Sequence, residues 1–206
     1  MNRTTLISLK TITWIVCLSP FAMLVYQGLT NTLGPDPTSN ITLTTGYNAL
    51  LMLILSLAIT PLRLLSPSLS WLIRFRRLLG LFAFFYASLH LATYIALYMN
   101  FDLSVFKTDI TKRRFIIAGF LAYTLLVPLA ATSTLWAVRK LGGKQWNRLH
   151  KLVYFAAICG IIHYWWQVKP GVKSPMNLTI TLFVLLLSRP VLAYVQKLRA
   201  RRSVPA

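Results

Sequence analysis

No glutamate occurs in this 206-residue chain, and its only acids are Asp36, Asp102 and Asp109, set against 22 Lys and Arg. None of the three lies inside a long apolar run. That disfavours a proton relay of the kind that places carboxylates within a membrane. Only two cysteines are present, Cys17 and Cys159, both in apolar segments. They read as small buried hydrophobes and not as a disulfide framework. No CxxCH motif is present, which excludes ordinary covalent haem attachment. There is also no Gly-rich nucleotide fingerprint, no sequence repeat, no long linker and no low-complexity tract, so nothing marks a second domain. The chain reads as one domain, residues 1–206.

What the chain does have is apolar length. Hydrophobic residues make up 56% of it, charged residues 12%, and the mean hydropathy is +0.63. Those values fit a protein whose solvent is a bilayer. A net charge of +19 invites a nucleic-acid reading. The placement of the cations argues against it, because they fall between apolar runs of membrane length. Six such runs are expected to be helices: Thr11 to Leu29, Gly46 to Leu62, Leu78 to Tyr98, Phe115 to Val138, Leu152 to Val168 and Met176 to Tyr194. The first resembles a signal peptide but lacks a small-residue cleavage site, so it reads as a retained helix. The fold class is therefore all-α, a polytopic helix bundle with six transmembrane helices.

Cations cluster at Arg3 and Lys10, at Arg63, Arg74, Arg76 and Arg77, at Arg139, Lys140, Lys144, Arg148 and Lys151, and at Lys197, Arg199, Arg201 and Arg202. These alternate connections and ends share one side, which places both termini in the cytoplasm. The other side holds the three Asp with Lys107, Lys112, Arg113, Arg114, Lys169 and Lys173; its KRR cluster runs against the rule. Arg189 falls inside the sixth run, so its side chain must reach an interface or a partner.

Three histidines occur: His90, His150 and His163. His90 lies ~18 Å along the third helix from its cytoplasmic start and His163 ~16.5 Å along the fifth, which runs in the same direction. A lone intramembrane histidine usually hydrogen-bonds a neighbouring helix. Two at one level point to a shared metal, and a haem iron with two axial imidazoles suits them. Zinc suits them less, since no Cys, Asp or Glu at that depth completes a four-ligand set. Small residues stand seven and three positions before each histidine, Ala83 and Ala87 in one helix and Ala156 and Gly160 in the other. They share the histidine's face and would let a flat macrocycle approach, though small residues also serve plain helix packing. His150 sits ~20 Å below His163 and on a different face. The third helix offers Arg77, not a histidine, as its counterpart. His150 thus reads as an interfacial residue, a ligand of a second haem, or part of a cytoplasmic cofactor site.

Arg76, Arg77, Arg139, Lys144 and Arg148 gather on the cytoplasmic edge. Anionic lipid headgroups account for them, and a cofactor phosphate or haem propionates could use the same charges. Trp165 and Trp166 read as interfacial belt anchors.

RRLLGLFAFFYASLH, from Arg76 to His90, and ATSTLWAVRKLGGKQWNRLHKLVYFAAICGIIHYWW, from Ala131 to Trp166, resemble the MsrQ (YedZ) family. These are haem-binding membrane subunits of bacterial protein-methionine-sulfoxide reductase systems. More broadly, the chain resembles the transmembrane domain of ferric reductases and NADPH oxidases. It lacks their fourth haem histidine and their flavin-nucleotide domain. The resemblance implies a multi-pass protein of the bacterial inner membrane carrying haem b and FMN. Electrons would come from the quinone pool or from a cytoplasmic flavin reductase. They would pass to a periplasmic molybdenum-containing MsrP-type catalytic subunit, the partner in a heterodimer, which repairs methionine sulfoxide in proteins. Two other readings stand beside it: a self-sufficient ferric or quinone reductase, and a non-redox transporter.

Overall fold

The computed structural model describes residues 2–168 and 174–202, and every regular element among them is helical. Helix α1 (Arg3–Leu29) is followed by α2 (Pro37–Leu65). A 3-10 segment (Pro67–Leu72) leads into α3 (Ile73–Thr93), which ends in a π-helical turn (Tyr94–Tyr98). Then come α4 (Leu103–Lys112), α5 (Arg114–Ala131), α6 (Leu135–Leu141), α7 (Gly143–Leu149), α8 (Leu152–Gln167) and α9 (Met176–Arg202). Lys169 and Lys173, expected on the outer side, lie outside the described residues.

Five helical stretches are long and apolar enough to cross a membrane: Arg3–Leu29, Pro37–Leu65, Pro67–Tyr98, Arg114–Ala131 and Met176–Val195. The expected fifth span is helical but holds 16 residues, about 24 Å of rise, and falls short of that length. The expected fourth span is also corrected. Its helix stops at Ala131, not Val138, although the apolar sequence continues. The hydroxyls of Thr132 and Ser133 turn back onto the carbonyls of Pro128 and Leu129, and Thr134 caps a new helix by accepting from the Ala137 N–H at 3.1 Å. Side chains that offer the backbone local partners end helices in this way.

Two of the three aspartates cap helices. Asp36 accepts from the Ser39 N–H ahead of α2, with Pro37 at the first helical position, and Asp102 accepts from the Ser104 N–H ahead of α4. The Ser104 bond holds the exposed Asp102 carboxyl below its ordinary range.

Prolines within spans leave carbonyls without their N–H donors, and hydrocarbon supplies no water to replace them. Two of these orphans find a side chain. Pro20 in α1 frees the Val16 carbonyl, which accepts from the Ser19 hydroxyl at 2.9 Å. One residue further, the fully buried Tyr86 of α3 accepts from the Phe21 N–H and donates to the Cys17 carbonyl at 2.6 Å, tying α1 to α3. Pro61 in α2 frees the Leu57 carbonyl, and the Arg189 guanidinium donates to it and to the Tyr154 hydroxyl. The intramembrane arginine therefore meets a partner, as its position required, and joins α2, α8 and α9.

The core lies where α2 packs on α3 and α5 packs on α8, the two most extensive helix pairings. Leu53, Leu57, Ala83, Tyr86, Ala156 and Ala157 are buried there. Facing outward are Ile15, Val16, Phe183 and Val184, all more than half exposed, as a lipid solvent permits.

Candidate functional site

Between the α2/α3 pair and the α5/α8 pair opens a cavity of about 210 Å³. His90 of α3 and His163 of α8 both line it, and their ring centroids stand 5.8 Å apart with the planes near perpendicular, at 85°. Each ring is held from the outside by a backbone carbonyl. His90 Nδ1 lies 3.0 Å from the Thr42 carbonyl in α2, and His163 Nδ1 lies 2.7 Å from the Phe115 carbonyl in α5. A carbonyl oxygen only accepts, so Nδ1 carries the proton in both rings and Nε2 keeps its lone pair. That is the tautomer of a metal-ligating histidine with an orienting outer partner.

A glycine sits one turn after each carbonyl and makes room for the ring. A Cβ on Gly46 would stand 2.9 Å from His90 Cε1, and one on Gly119 would stand 2.6 Å from His163 Nδ1. Both separations are below any ordinary contact, so glycine is required at these two positions. The carbonyl and its histidine are 48 residues apart in both halves. Thr42, Gly46, Ala83, Ala87 and His90 recur at the same spacing as Phe115, Gly119, Ala156, Gly160 and His163, and all but the Ala83 and Ala156 pair recur in role. Two helix pairs thus present the same apparatus to one cavity, a repeat of spacing that residue identities hide.

Three of the four small residues line the cavity: Ala87, Ala156 and Gly160. Ala83 does not line it, and packs fully buried in the core. A Cβ on Gly160 would meet only Leu50 Cδ1, at 3.4 Å. The signal that could have found Gly46 and Gly119 is their common distance from the histidines; neither lies in a motif.

His150 does not line the cavity. It ends α7, stacked on Trp146 with centroids 3.8 Å apart, and its Nδ1 bonds the Trp146 carbonyl at 3.1 Å. Its Nε2 is buried without a partner among the described residues. Burial first, and the nearby Arg76 charge in addition, push the imidazole below its ordinary pKa, favouring the neutral ring. Arg76 is half-buried, whereas Arg77, Arg139, Lys144 and Arg148 are exposed. None of these five cations lines the cavity between His90 and His163.

Two neighbouring imidazoles whose Nε2 atoms make no hydrogen bond among the described residues fit a single metal between them. Their separation is about twice the ~3 Å from a metal to the centre of a bound imidazole, given a metal–nitrogen bond of ~2 Å. No three of His, Cys, Asp and Glu come together among the described residues, so the protein offers this metal two ligands only. A flat macrocycle that completes the coordination in its own plane fits the walls of small and apolar side chains.

Residues 43–161 match the family model described as "Ferric reductase like transmembrane component". Among curated proteins, the "Protein-methionine-sulfoxide reductase heme-binding subunit MsrQ" of Herminiimonas arsenicoxydans is 48% identical, over 88% of this chain and 84% of its own length. The protein of the same name from Ralstonia nicotianae is 46% identical over 75% of this chain and 70% of its own. That of Xanthomonas oryzae pv. oryzae is 41% identical over 99% and 96%. With several helices of membrane length and a matching transmembrane family model, the protein is a multi-pass membrane protein. The chain belongs to the ferric reductase-like transmembrane family and to the MsrQ family.

Proposed function

We propose that this protein is a haem b electron-transfer subunit in which His90 and His163 are the axial ligands of one haem. The observation that carries the proposal is the pair of neighbouring rings lining one cavity, each with Nδ1 engaged by a carbonyl and with no hydrogen bond to Nε2 among the described residues. The names of the relatives, haem-binding subunits of a protein-methionine-sulfoxide reductase, support the same reading. Haem iron supplies one-electron oxidation and reduction. The chain's own residues do the rest. Thr42 and Phe115 orient the imidazoles, Gly46 and Gly119 admit them, Ala87, Ala156 and Gly160 keep the walls low, and the leucines around them exclude water.

In this reading α8 is the sixth span, both termini are cytoplasmic, and the membrane is the bacterial inner membrane. Electrons enter from the quinone pool or from a flavin reductase through FMN, whose phosphate meets Arg76, Arg77, Arg139, Lys144 or Arg148. They leave to a periplasmic molybdenum-containing MsrP-type subunit that reduces methionine sulfoxide, so substrate catalysis belongs to the partner. The cationic edge and the reductase in the relatives' names support these finer assignments.

The test is a spectrum of the purified protein. Wild type is expected to show a reducible low-spin haem b signature that is lost in His90→Ala and in His163→Ala and kept in His150→Ala. Retention of the wild-type spectrum in both of the first two variants would refute the assignment.

A further inference from the structure

The cavity is amphipathic along its length. Its deep part is walled by Leu50, Leu53 and Leu126, while Tyr94, Tyr98, Gln167 and Arg113 mark the opposite end, where α2 and α5 begin and α3 and α8 finish. Arg113 is the only Lys, Arg, Asp or Glu lining the cavity among the described residues. It belongs to the KRR cluster that the distribution of cations leaves unexplained.

Its side chain is tethered. Asp109, buried in α4, meets Arg113 Nε at 3.2 Å through Oδ1 and accepts from the Tyr94 hydroxyl at 2.9 Å through Oδ2. Tyr94 lies one turn after His90 and itself lines the cavity. The carboxylate thus links the guanidinium to the histidine-bearing helix. A guanidinium has five N–H donors, and the contact with Asp109 occupies the one on Nε. No hydrogen bond joins the four on the η nitrogens to another described residue, and with the side chain 54% exposed they stay open to a ligand or to water. A planar fork held beside an apolar cavity is the recognition element for a carboxylate. Asp109 offsets one positive charge here, but Lys112 and Arg114 flank Arg113 in sequence, so the surroundings remain cationic.

From this placement, and resting on the haem reading above, we infer that Arg113 binds a carboxylate of the tetrapyrrole and that Asp109 and Tyr94 position it. The ring then sits with its acidic edge toward α4 and its apolar edge among the leucines. The cytoplasmic cations are left to other anions. Arg113 is a binding residue for the cofactor, and Asp109 is a positioning residue that acts through it.

The ligand itself supplies the control. Apoprotein of the full chain in lipid nanodiscs is titrated with iron protoporphyrin IX and with its dimethyl ester, which has the same metal and ring but no carboxylates. Uptake is followed by the low-spin absorbance. Wild type is expected to hold the free acid at least about tenfold more tightly than the ester, the scale of a hydrogen bond to a charged group. In Arg113→Gln the two affinities should converge to within about twofold while both spectra stay low-spin, which shows that the histidines and the fold are intact. Arg113→Lys should discriminate to an intermediate degree, and Asp109→Asn should lower the discrimination without removing it. Undiminished preference for the free acid in Arg113→Gln would overturn the inference, as would its loss in Arg77→Gln instead. Failure of wild type to take up either porphyrin would remove the haem reading, and this inference with it.

Discussion

At the scale of single residues, the two glycines make the sharpest claim on the site. Methyl groups at Gly46 and Gly119 would enter the space of the imidazoles, and neither ring can retreat without giving up its carbonyl. Loss of such outer partners typically weakens metal binding roughly 10–100-fold. Gly46→Ala and Gly119→Ala should therefore each lose haem on purification, Gly119→Ala more completely because its clash is closer. Haem content per protein measures both. The common level of His90 and His163 is legible in the sequence, since rise per residue converts position into depth. The glycines are not legible there, because a glycine in an apolar helix reads first as packing and a backbone carbonyl has no sequence signature. Arg113 is hidden for a different reason. Counting cations reports the side of the membrane, not the cavity that one of them overlooks.

At the scale of helices, the prolines decide more than the apolar runs do. Arg189 and Pro61 lie far apart in sequence, yet Pro61 withholds the donor that the Leu57 carbonyl needs and Arg189 provides it. Arg189→Leu should destabilise the fold by roughly 1–3 kcal/mol, the expected magnitude for an unsatisfied buried polar group. In a Pro61→Ala background, where α2 can close its own bond, part of that loss should be recovered. A double-mutant cycle of thermal unfolding in detergent reads the coupling, and strict additivity would mean that the Leu57 carbonyl is irrelevant. The sequence announces that Arg189 needs a partner. The identity of that partner depends on which helix lies opposite, which hydropathy does not encode. Hydropathy also carries the fourth span through Thr132, Ser133 and Thr134, because it reports the solvent a segment prefers and is blind to a break in the backbone. The cap at Thr134 is the readable sign of that break.

At the scale of the whole molecule, the sequence conveys the all-helical class and the bilayer as solvent with little ambiguity, since long apolar runs without acids are the pattern of membrane-spanning helices. The number of spans is harder, because α8 is short and stands beside α5 instead of crossing alone. The proposed orientation has a direct check. Single cysteines at Asp102 and at Lys144, both exposed, should lie on opposite sides of the membrane in a background lacking Cys17 and Cys159. An impermeant thiol reagent added to intact cells after outer-membrane permeabilisation should label the first and spare the second. The reverse pattern would invert the bundle.

The equal spans that join each carbonyl to its histidine have a consequence for assembly. The α2/α3 pair and the α5/α8 pair touch one another far less than each touches itself. In the proposed haem reading, each pair carries one of the two protein ligands to the iron. A macrocycle seated between them would act as a rivet, adding a second fastening to the one that Arg189 already makes between α2 and α8.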